Sequence, residues 1–188
     1  RKEAEEARIG AEWSKIRVAE EELKVEQERQ RQEATSAEKA RKKAEEARDI
    51  KTLELSDGLK YFGETINGEP HGQGTKTWPD GKTFTGSFKD GKRHGQGTVT
   101  YPDGEIYIGK FRDDHRHGQG ILNLATGDKY EGKWKDGRQH GQGTYTWTNG
   151  DKHEGEWKDD ARNGRGILNL ANGDKYEGEW KDNKRHGQ

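Results

Sequence analysis

The chain repeats itself at an interval of 23 residues. An aromatic or imidazole side chain recurs at this interval, and a glycine follows each one two residues later. The six positions are Tyr61, Phe84, Tyr107, Tyr130, His153 and Tyr176. Units this short cannot bury an apolar face alone, so they stack on their neighbours and offer an extended binding surface. An enzyme built around one deep pocket is therefore disfavoured.

Histidine also follows the repeat, within a His-Gly-Gln-Gly segment. This segment begins at His71, His94, His117 and His140, and it becomes Asn-Gly-Arg-Gly at Asn163. Neighbouring repeats are two strands apart, about 9.5 Å, so their histidines cannot converge on one zinc ion. We predict a structural role for them in the turn, and no metal site.

Composition excludes several classes of protein. Apolar residues make up 25% of the chain and charged residues 38%, so a deep core is not expected, and order must come from aromatic packing between units. The absence of cysteine excludes disulfides and thiolate chemistry. A net charge of −1 gives no general attraction to nucleic acid. With no methionine and Arg1 as its first residue, the chain is interpreted as a fragment of a longer protein.

Residues 1–57 are predicted to be a charged helical or coiled-coil-like segment, because they consist mostly of strong helix formers. Apolar residues fall on two stripes, the second of which includes Val18 and Val25. The first stripe contains Ile9, Trp13, Ile16 and Leu23. Thr35-Ser-Ala-Glu38 matches a capping box, which predicts a break near residues 33–36. The segment is either a solvated stalk or a docked helix.

Residues 58–188 are predicted to be a β array, because the apolar period changes there from 3.6 to 2. In one unit, Tyr130, Gly132 and Trp134 lie on one side of a strand, Lys135-Asp-Gly-Arg-Gln139 turns the chain, and Gly143-Thr-Tyr-Thr-Trp147 returns. Each repeat is thus one antiparallel β-hairpin. Glycine weakens a strand interior, so Gly132 and Gly143 are expected to lie beneath an aromatic ring.

The unit Tyr-Glu-Gly-Glu/Lys-Trp-Lys-Asp-Gly-x-x-His-Gly-Gln-Gly resembles the MORN repeat, the membrane occupation and recognition nexus. The resemblance covers five full repeats and the start of a sixth, over residues 59–188. It implies an elongated, twisted single sheet with an aromatic-lined groove. Departures occur at Thr65, which replaces the outgoing aromatic and implies an atypical capping repeat, and at His153 and Asn163.

The groove is expected to bind a helix or peptide, either from this chain or from a partner. Its predicted lining is Tyr61, Phe84, Phe88, Tyr107, Phe111, Tyr130, Trp134, Trp157, Tyr176 and Trp180. Ile9, Trp13, Ile16 and Leu23 are predicted to dock a helix there, since residues 1–33 as a helix and the sheet would both measure about 50 Å. The second apolar stripe leaves a homodimer as a further expectation.

Basic residues recur at turn positions and are predicted to form one edge. They are Lys92, Arg93, Arg116, Arg138, Arg162, Lys184 and Arg185. Such an edge is suited to anionic phospholipid, although Asp90, Asp136 and other aspartates in the same turns offset its charge. A solvated mixed-charge edge is the alternative interpretation.

Every candidate catalytic side chain recurs as a repeat position, so we predict no enzymatic activity and no cofactor. The leading hypothesis is an interaction scaffold that the N-terminal helix links to an assembly. The alternatives are a peripheral membrane adaptor and an array that targets or regulates a larger enzyme. We expect a cytoplasmic protein, with membranes or cytoskeletal structures as candidate locations and no nucleic acid partner.

Overall fold

The computed structural model describes residues 21–22, 24–41, 43 and 49–187. The chain divides into two compact units, Arg1–Ala47 and Arg48–Gln188. Residues 9, 13, 16, 18 and 23, which carry most of the two predicted apolar stripes, lie outside the described residues.

The N-terminal unit contains helix α1 over residues 24–41. Its described side chains are exposed almost throughout, and Val25 is 64% exposed. The predicted break near residues 33–36 is absent, because the helix is continuous there. The Thr35 hydroxyl donates to the Arg31 carbonyl at 2.8 Å, so it bonds back within the helix instead of capping a new one. The described residues include no helix long and apolar enough to cross a membrane.

The second unit is one antiparallel sheet of 13 strands, in which every strand pairs with its neighbours in sequence. The strands are β1 Asp49–Glu54, β2 Lys60–Ile66, β3 Glu69–Thr77, β4 Thr83–Lys89, β5 Lys92–Thr100, β6 Ile106–Arg112, β7 His115–Asn123, β8 Lys129–Lys135, β9 Arg138–Thr146, β10 Lys152–Lys158, β11 Ala161–Asn169, β12 Lys175–Lys181 and β13 Lys184–Arg185. The prediction of stacked antiparallel hairpins is confirmed.

The sheet begins earlier than the sequence predicts. Residues 49–54 were assigned to the helical segment, but they form β1 and pair with β2. A 3-10 turn, Ser56–Gly58, follows, and the Leu55 amide donates to the Leu59 carbonyl. Trp78 and Lys82 make the same bond one repeat later. β1 is therefore the return strand of a half-repeat that lacks the glycine and aromatic markers.

The hairpin tips explain the recurring Asp-Gly pairs. Asp136 and Gly137 have φ values of 50° and 90°, and two successive positive values are required by the type I′ turns that suit a twisted hairpin. The Gly137 amide also donates to the Arg116 carbonyl in the preceding hairpin at 2.9 Å. The tips thus connect neighbouring repeats as well as closing each hairpin.

The core is a ladder of aromatic rings on one side of the sheet, which we call the aromatic face. Each ring meets the next edge-to-face, with centroids 4.9–5.5 Å apart. The ladder runs Tyr61, Phe88, Phe84, Phe111, Tyr107, Trp134, Tyr130, Trp157, His153, Trp180, Tyr176. Its first outgoing position is Thr65, whose hydroxyl instead donates to the Asp49 carbonyl at 2.9 Å.

Glycine pairs give these rings their space. Gly132 and Gly143 are cross-strand partners, and a Cβ on Gly132 would lie 2.5 Å from the Gly143 Cα and 2.7 Å from the Tyr130 hydroxyl. That hydroxyl donates to the Lys133 carbonyl at 3.1 Å. The prediction that a ring lies over bare backbone at Gly132 and Gly143 is confirmed.

Candidate interaction surfaces

The predicted groove lining is the core of the sheet. Nine of its ten residues are buried, and only Tyr176 is partly exposed. The rings of Phe84, Tyr107 and Tyr130 are 0% exposed, so no partner can contact them without opening the sheet. The groove assignment is therefore corrected, because rings and glycines of this one layer already cover each other.

The predicted basic edge separates into two columns. Arg93, Arg116 and Arg162 turn onto the aromatic face, and their guanidinium carbons lie 5.2, 4.9 and 4.2 Å from the ring centroids of Phe111, Tyr107 and Trp180. Arg185 stacks on Tyr176 in the same way at 4.7 Å. These are cation–π contacts, which stabilise the core surface. A single basic edge is not present.

The remaining members of that edge are exposed beside hairpin tips. They are Lys92, Arg138 and Lys184. Burial lowers the pKa of Arg162, and the charge of Arg185 lowers it further. Arg93, Arg116 and Arg162 are thus half-buried over core rings, and Arg185 stacks on Tyr176 while remaining exposed. Only three of the seven predicted residues make no such ring contact.

An accessible apolar row borders the aromatic face. Its members recur at the repeat interval and are all partly exposed: Leu55, Trp78, Tyr101, Leu124, Trp147 and Leu170. The first four pack against the buried core, and the Trp147 ring lies 4.6 Å from that of Tyr145. Lys82 Nζ lies 4.1 Å from the centre of the Trp78 ring. The row is an accessible part of the aromatic face.

Sequence reasoning missed this row as a site. Trp78 and Trp147 directly follow return strands, whereas the aromatic signal that predicted the groove lies on the outgoing strands. The signal was present in the interval of 23 residues from Leu55 to Leu170. Leu55 was overlooked because it lay in the segment assigned to a helix.

The opposite side of the sheet, which we call the polar face, contains two shallow cavities of different charge. One of about 500 Å³ is bordered by Glu154, Glu156, Glu177 and Glu179, with Arg165 and Ile167 beside them. The other, of about 590 Å³, is bordered by Lys110, Lys133, Lys135, His117 and His140. Charge therefore changes sign along the array.

The recurring histidines contact the next hairpin. Nδ1 of His71, His94 and His117 lies 3.7 Å from a carboxylate oxygen of Asp90, Asp113 and Asp136, respectively. His140 and Asp159 form the same contact at 3.6 Å. These distances exceed hydrogen-bond length. Among the described residues, no group of three or more candidate ligands is arranged to hold a metal ion.

His153 is the exception in the aromatic ladder. It is 0% exposed, and neither ring nitrogen has a hydrogen-bond partner within the described part of the chain. At the equivalent positions, the Tyr107 and Tyr130 hydroxyls donate to the carbonyls of Lys110 and Lys133. Burial, together with the charge of Arg162, lowers the pKa of His153 from 6.5 to about 4.

Replacing His153 with tyrosine is expected to stabilise the sheet, and more so in acid. The unfolded histidine gains a proton below pH 6.5, whereas the folded one stays neutral to about pH 4, so its contribution to stability falls across this interval. The loss is about 3 kcal/mol at most. At neutral pH, the hydrogen bond from the new tyrosine hydroxyl to a backbone carbonyl contributes about 1 kcal/mol to the free energy of unfolding.

Denaturant unfolding of both proteins at pH 7.5 and 4.5 measures this effect. All carboxylates are common to the two proteins, so their titration largely cancels in the difference between the two free energies of unfolding. An equal difference at both pH values would contradict a buried neutral histidine.

The fold and its surfaces define a repeat protein built from β-hairpins. The MORN repeat profile matches residues 61–83, 84–106, 107–129, 130–152, 153–175 and 176–188. These matches cover most of the chain, which belongs to the MORN-repeat family.

Other comparisons add little. No curated protein matches the chain. Among solved structures, it is similar to the SAS-4 (dCPAP) TCP domain of Drosophila Melanogaster, in complex with a Proline Rich Motif of Ana2 (dSTIL). That match has 16% identity, covers 70% of this chain and 90% of that chain, and has a TM-score of 0.39. The likeness is too low to support an inference about function.

Proposed function

We propose that this chain is a non-enzymatic interaction scaffold whose apolar row binds an amphipathic helix or peptide, from its own N-terminal unit or from a partner. The supporting observation is the row itself: six partly exposed apolar residues at one position of successive repeats. Exposed aromatic side chains in a line are typical of protein-binding surfaces. The N-terminal helix then links the scaffold to an assembly.

The spacing of the row suits a helix. Neighbouring members are two strands apart, about 9.5 Å, and seven residues of helix rise about 10.5 Å. A helix with one apolar side chain every seven residues can therefore contact successive members. Ile9, Ile16 and Leu23 have this interval in the sequence, which makes residues 9–23 a candidate occupant.

Charge beside the row restricts the occupant further. Lys76 and Lys82 both lie over the Trp78 ring, at 5.3 and 4.1 Å from its centre. Burial lowers the pKa of Lys76. Because Lys76, Lys82 and Arg93 all lie over the Trp78 ring, this end of the row disfavours added positive charge. We expect a helix with acidic residues beside its apolar stripe, and the N-terminal segment has Glu12 and Glu20 near Trp13 and Ile16.

Alanine at both Trp78 and Trp147 is expected to release the N-terminal helix in the full chain. These are the largest side chains of the row, so amide hydrogen exchange over residues 9–25 should accelerate about tenfold or more, as expected for loss of roughly 1.4 kcal/mol of protection. Replacement of Ile16 and Leu23 by aspartate should give the same acceleration.

Ile108→Ala is the matched control, because Ile108 is 48% exposed but lies on the polar face. Exchange over residues 9–25 should be unchanged in this variant. Equal exchange in all four proteins would contradict docking of this segment on the row.

Binding of anionic phospholipid is less well supported. Arg93, Arg116 and Arg162 stack on core rings, and Arg93 also donates to Asp114 at 2.9 Å. The exposed cations Lys92 and Arg138 stand beside tip aspartates. Their combined field is therefore weaker than that of a continuous basic edge.

A further inference from the structure

One column of charged residues crosses the polar face. From β6 to β12 it consists of Lys110 on β6, Lys133 on β8, Glu156 on β10 and Glu179 on β12, and earlier repeats have Glu64 and Ser87 at this position. The four residues from β6 to β12 occupy the same register position, opposite Gln96, Gln119, Gln142 and Arg165 of the adjoining return strands. We call them the charge column. Its sign reverses at β9, the central strand of the seven from β6 to β12.

We propose that two copies of this chain associate through their polar faces, about a two-fold axis that lies between them and runs along β9. This operation reverses the order of repeats and keeps each register position. Lys110 then faces Glu179 of the second copy, and Lys133 faces Glu156 of the second copy. The symmetry produces each pair twice, which gives four ion pairs.

Apolar and neutral residues of the polar face are also arranged symmetrically about β9. Ile121 on β7 and Ile167 on β11 stand two strands from β9 on opposite sides, so they face each other between copies. Both are partly exposed. Gln142 lies on β9 in register with the charge column and faces its own counterpart. A self-complementary patch of this kind is what a two-fold interface requires.

The two cavities of the polar face also exchange places under this axis. The basic cavity that contains Lys110 and Lys133 lies over the acidic cavity that contains Glu156 and Glu179. Glu179 already accepts from Arg165 at 3.3 Å, an exposed pair that contributes little by itself.

The same axis places Glu131 opposite Glu154 of the second copy and Lys129 opposite Lys152 of the second copy. Each of these glutamates is already paired with the lysine of its own strand, so these positions carry little net charge and the charge column determines the register.

A second copy explains this pattern better than a basic peptide does. A peptide would need only the acidic cavity, and Lys133 and Lys110, one and two repeats before Glu156, would have no role. The sign reversal about one strand is the specific requirement of a two-fold pair. This inference goes beyond the helix-binding role proposed above, because it uses the opposite side of the sheet.

Sedimentation equilibrium of the full chain tests the proposal. Exposed ion pairs are individually weak and screened by salt, so the dissociation constant should rise about tenfold or more between 0.05 and 0.5 M NaCl. K110E/K133E makes the charge column entirely acidic, and E156K/E179K makes it entirely basic. Each variant alone should dissociate about 100-fold more readily.

Mixing these two variants should restore association, because every acidic position then faces a basic one. The variant with all four substitutions should also form a homodimer, because its column again reverses sign at β9. K51E/K60E on β1 and β2 changes the net charge as K110E/K133E does, and it should associate like the original chain.

A cysteine placed on the axis gives a geometric test, since the chain has no cysteine of its own. Gln142→Cys should be crosslinked into dimers by a short bismaleimide, whereas Gln73→Cys, at the same register position on β3, should not. Trp78→Ala/Trp147→Ala should leave crosslinking intact, which separates this interface from the helix site. A chain that stays monomeric at low salt, or association unaffected by the column variants, would overturn the proposal.

Discussion

Trp134→Ala is expected to lower the free energy of unfolding of the sheet by about 3 to 5 kcal/mol, the usual cost of truncating a buried aromatic. Trp134 is 4% exposed and lies 5.2 Å, centre to centre, from both Tyr107 and Tyr130. Its indole nitrogen donates to the Gly120 carbonyl at 3.3 Å. The substitution removes the ring contact of the ladder between the third repeat and the fourth.

Urea unfolding followed by circular dichroism measures this loss. In a repeat array, coupling passes only between neighbouring repeats. The variant should therefore also unfold less cooperatively, because the repeats before and after the cavity left at Trp134 would unfold in separate transitions. Trp134→Phe is the matched control, since Phe88 and Phe111 fill the equivalent positions of earlier repeats. A loss below about 1 kcal/mol for the alanine variant would mean that the ladder does not couple the repeats.

The hairpin architecture was predictable because the residues that determine it lie close together in the sequence of each repeat. Alternation placed Tyr130 and Trp134 on one face, and Asp136-Gly137 marked the turn. Gly132 and Gly143 required a close neighbour, and the ring of Tyr130 is that neighbour. Each of these inferences needs only one repeat and its immediate partner.

Exposure was not predictable in the same way. Alternation tells which side of a strand a residue occupies, but it does not tell whether a ring is open to solvent. Phe84 is buried because Phe88 and Phe111 pack against it from two different repeats. The contact between Phe84 and Phe111 depends on the side-chain rotamers of two neighbouring repeats. The sequence pattern does not specify these rotamers.

The predicted basic edge combines two neighbouring repeat positions, which point to opposite sides of the return strand. Arg116 pairs with Phe111 and lies on the aromatic face. Arg138 comes one residue before the equivalent repeat position, pairs with Lys135 and is exposed at a tip. The two positions were predicted as one edge because strand alternation was not followed through the turns.

Gly132→Ala is expected to cost about 3 kcal/mol or more, at the upper end of overpacking effects, because the added methyl meets backbone. Its Cβ would lie 2.5 Å from the Gly143 Cα and 2.8 Å from the Gln142 carbonyl oxygen, neither of which can rotate away. Gly132 does not need positive φ, so the loss measured by urea unfolding reports packing alone. Gly104→Ala is the control for conformation: Gly104 has φ +93° and open space around it, and strain there should cost about 1 to 2 kcal/mol.

Gly143→Ala distinguishes backbone contact from ring contact in the same pair. The three nearest atoms to its added methyl all belong to the Tyr130 side chain. Tyr130→Leu should therefore recover part of the loss in Gly143→Ala, with a coupling above about 1 kcal/mol in a double-mutant cycle. The same substitution should recover much less in Gly132→Ala, since the Gly143 backbone remains in place. Equal recovery at both glycines would show that the ring alone requires them, and that the two strands can separate to admit a methyl group.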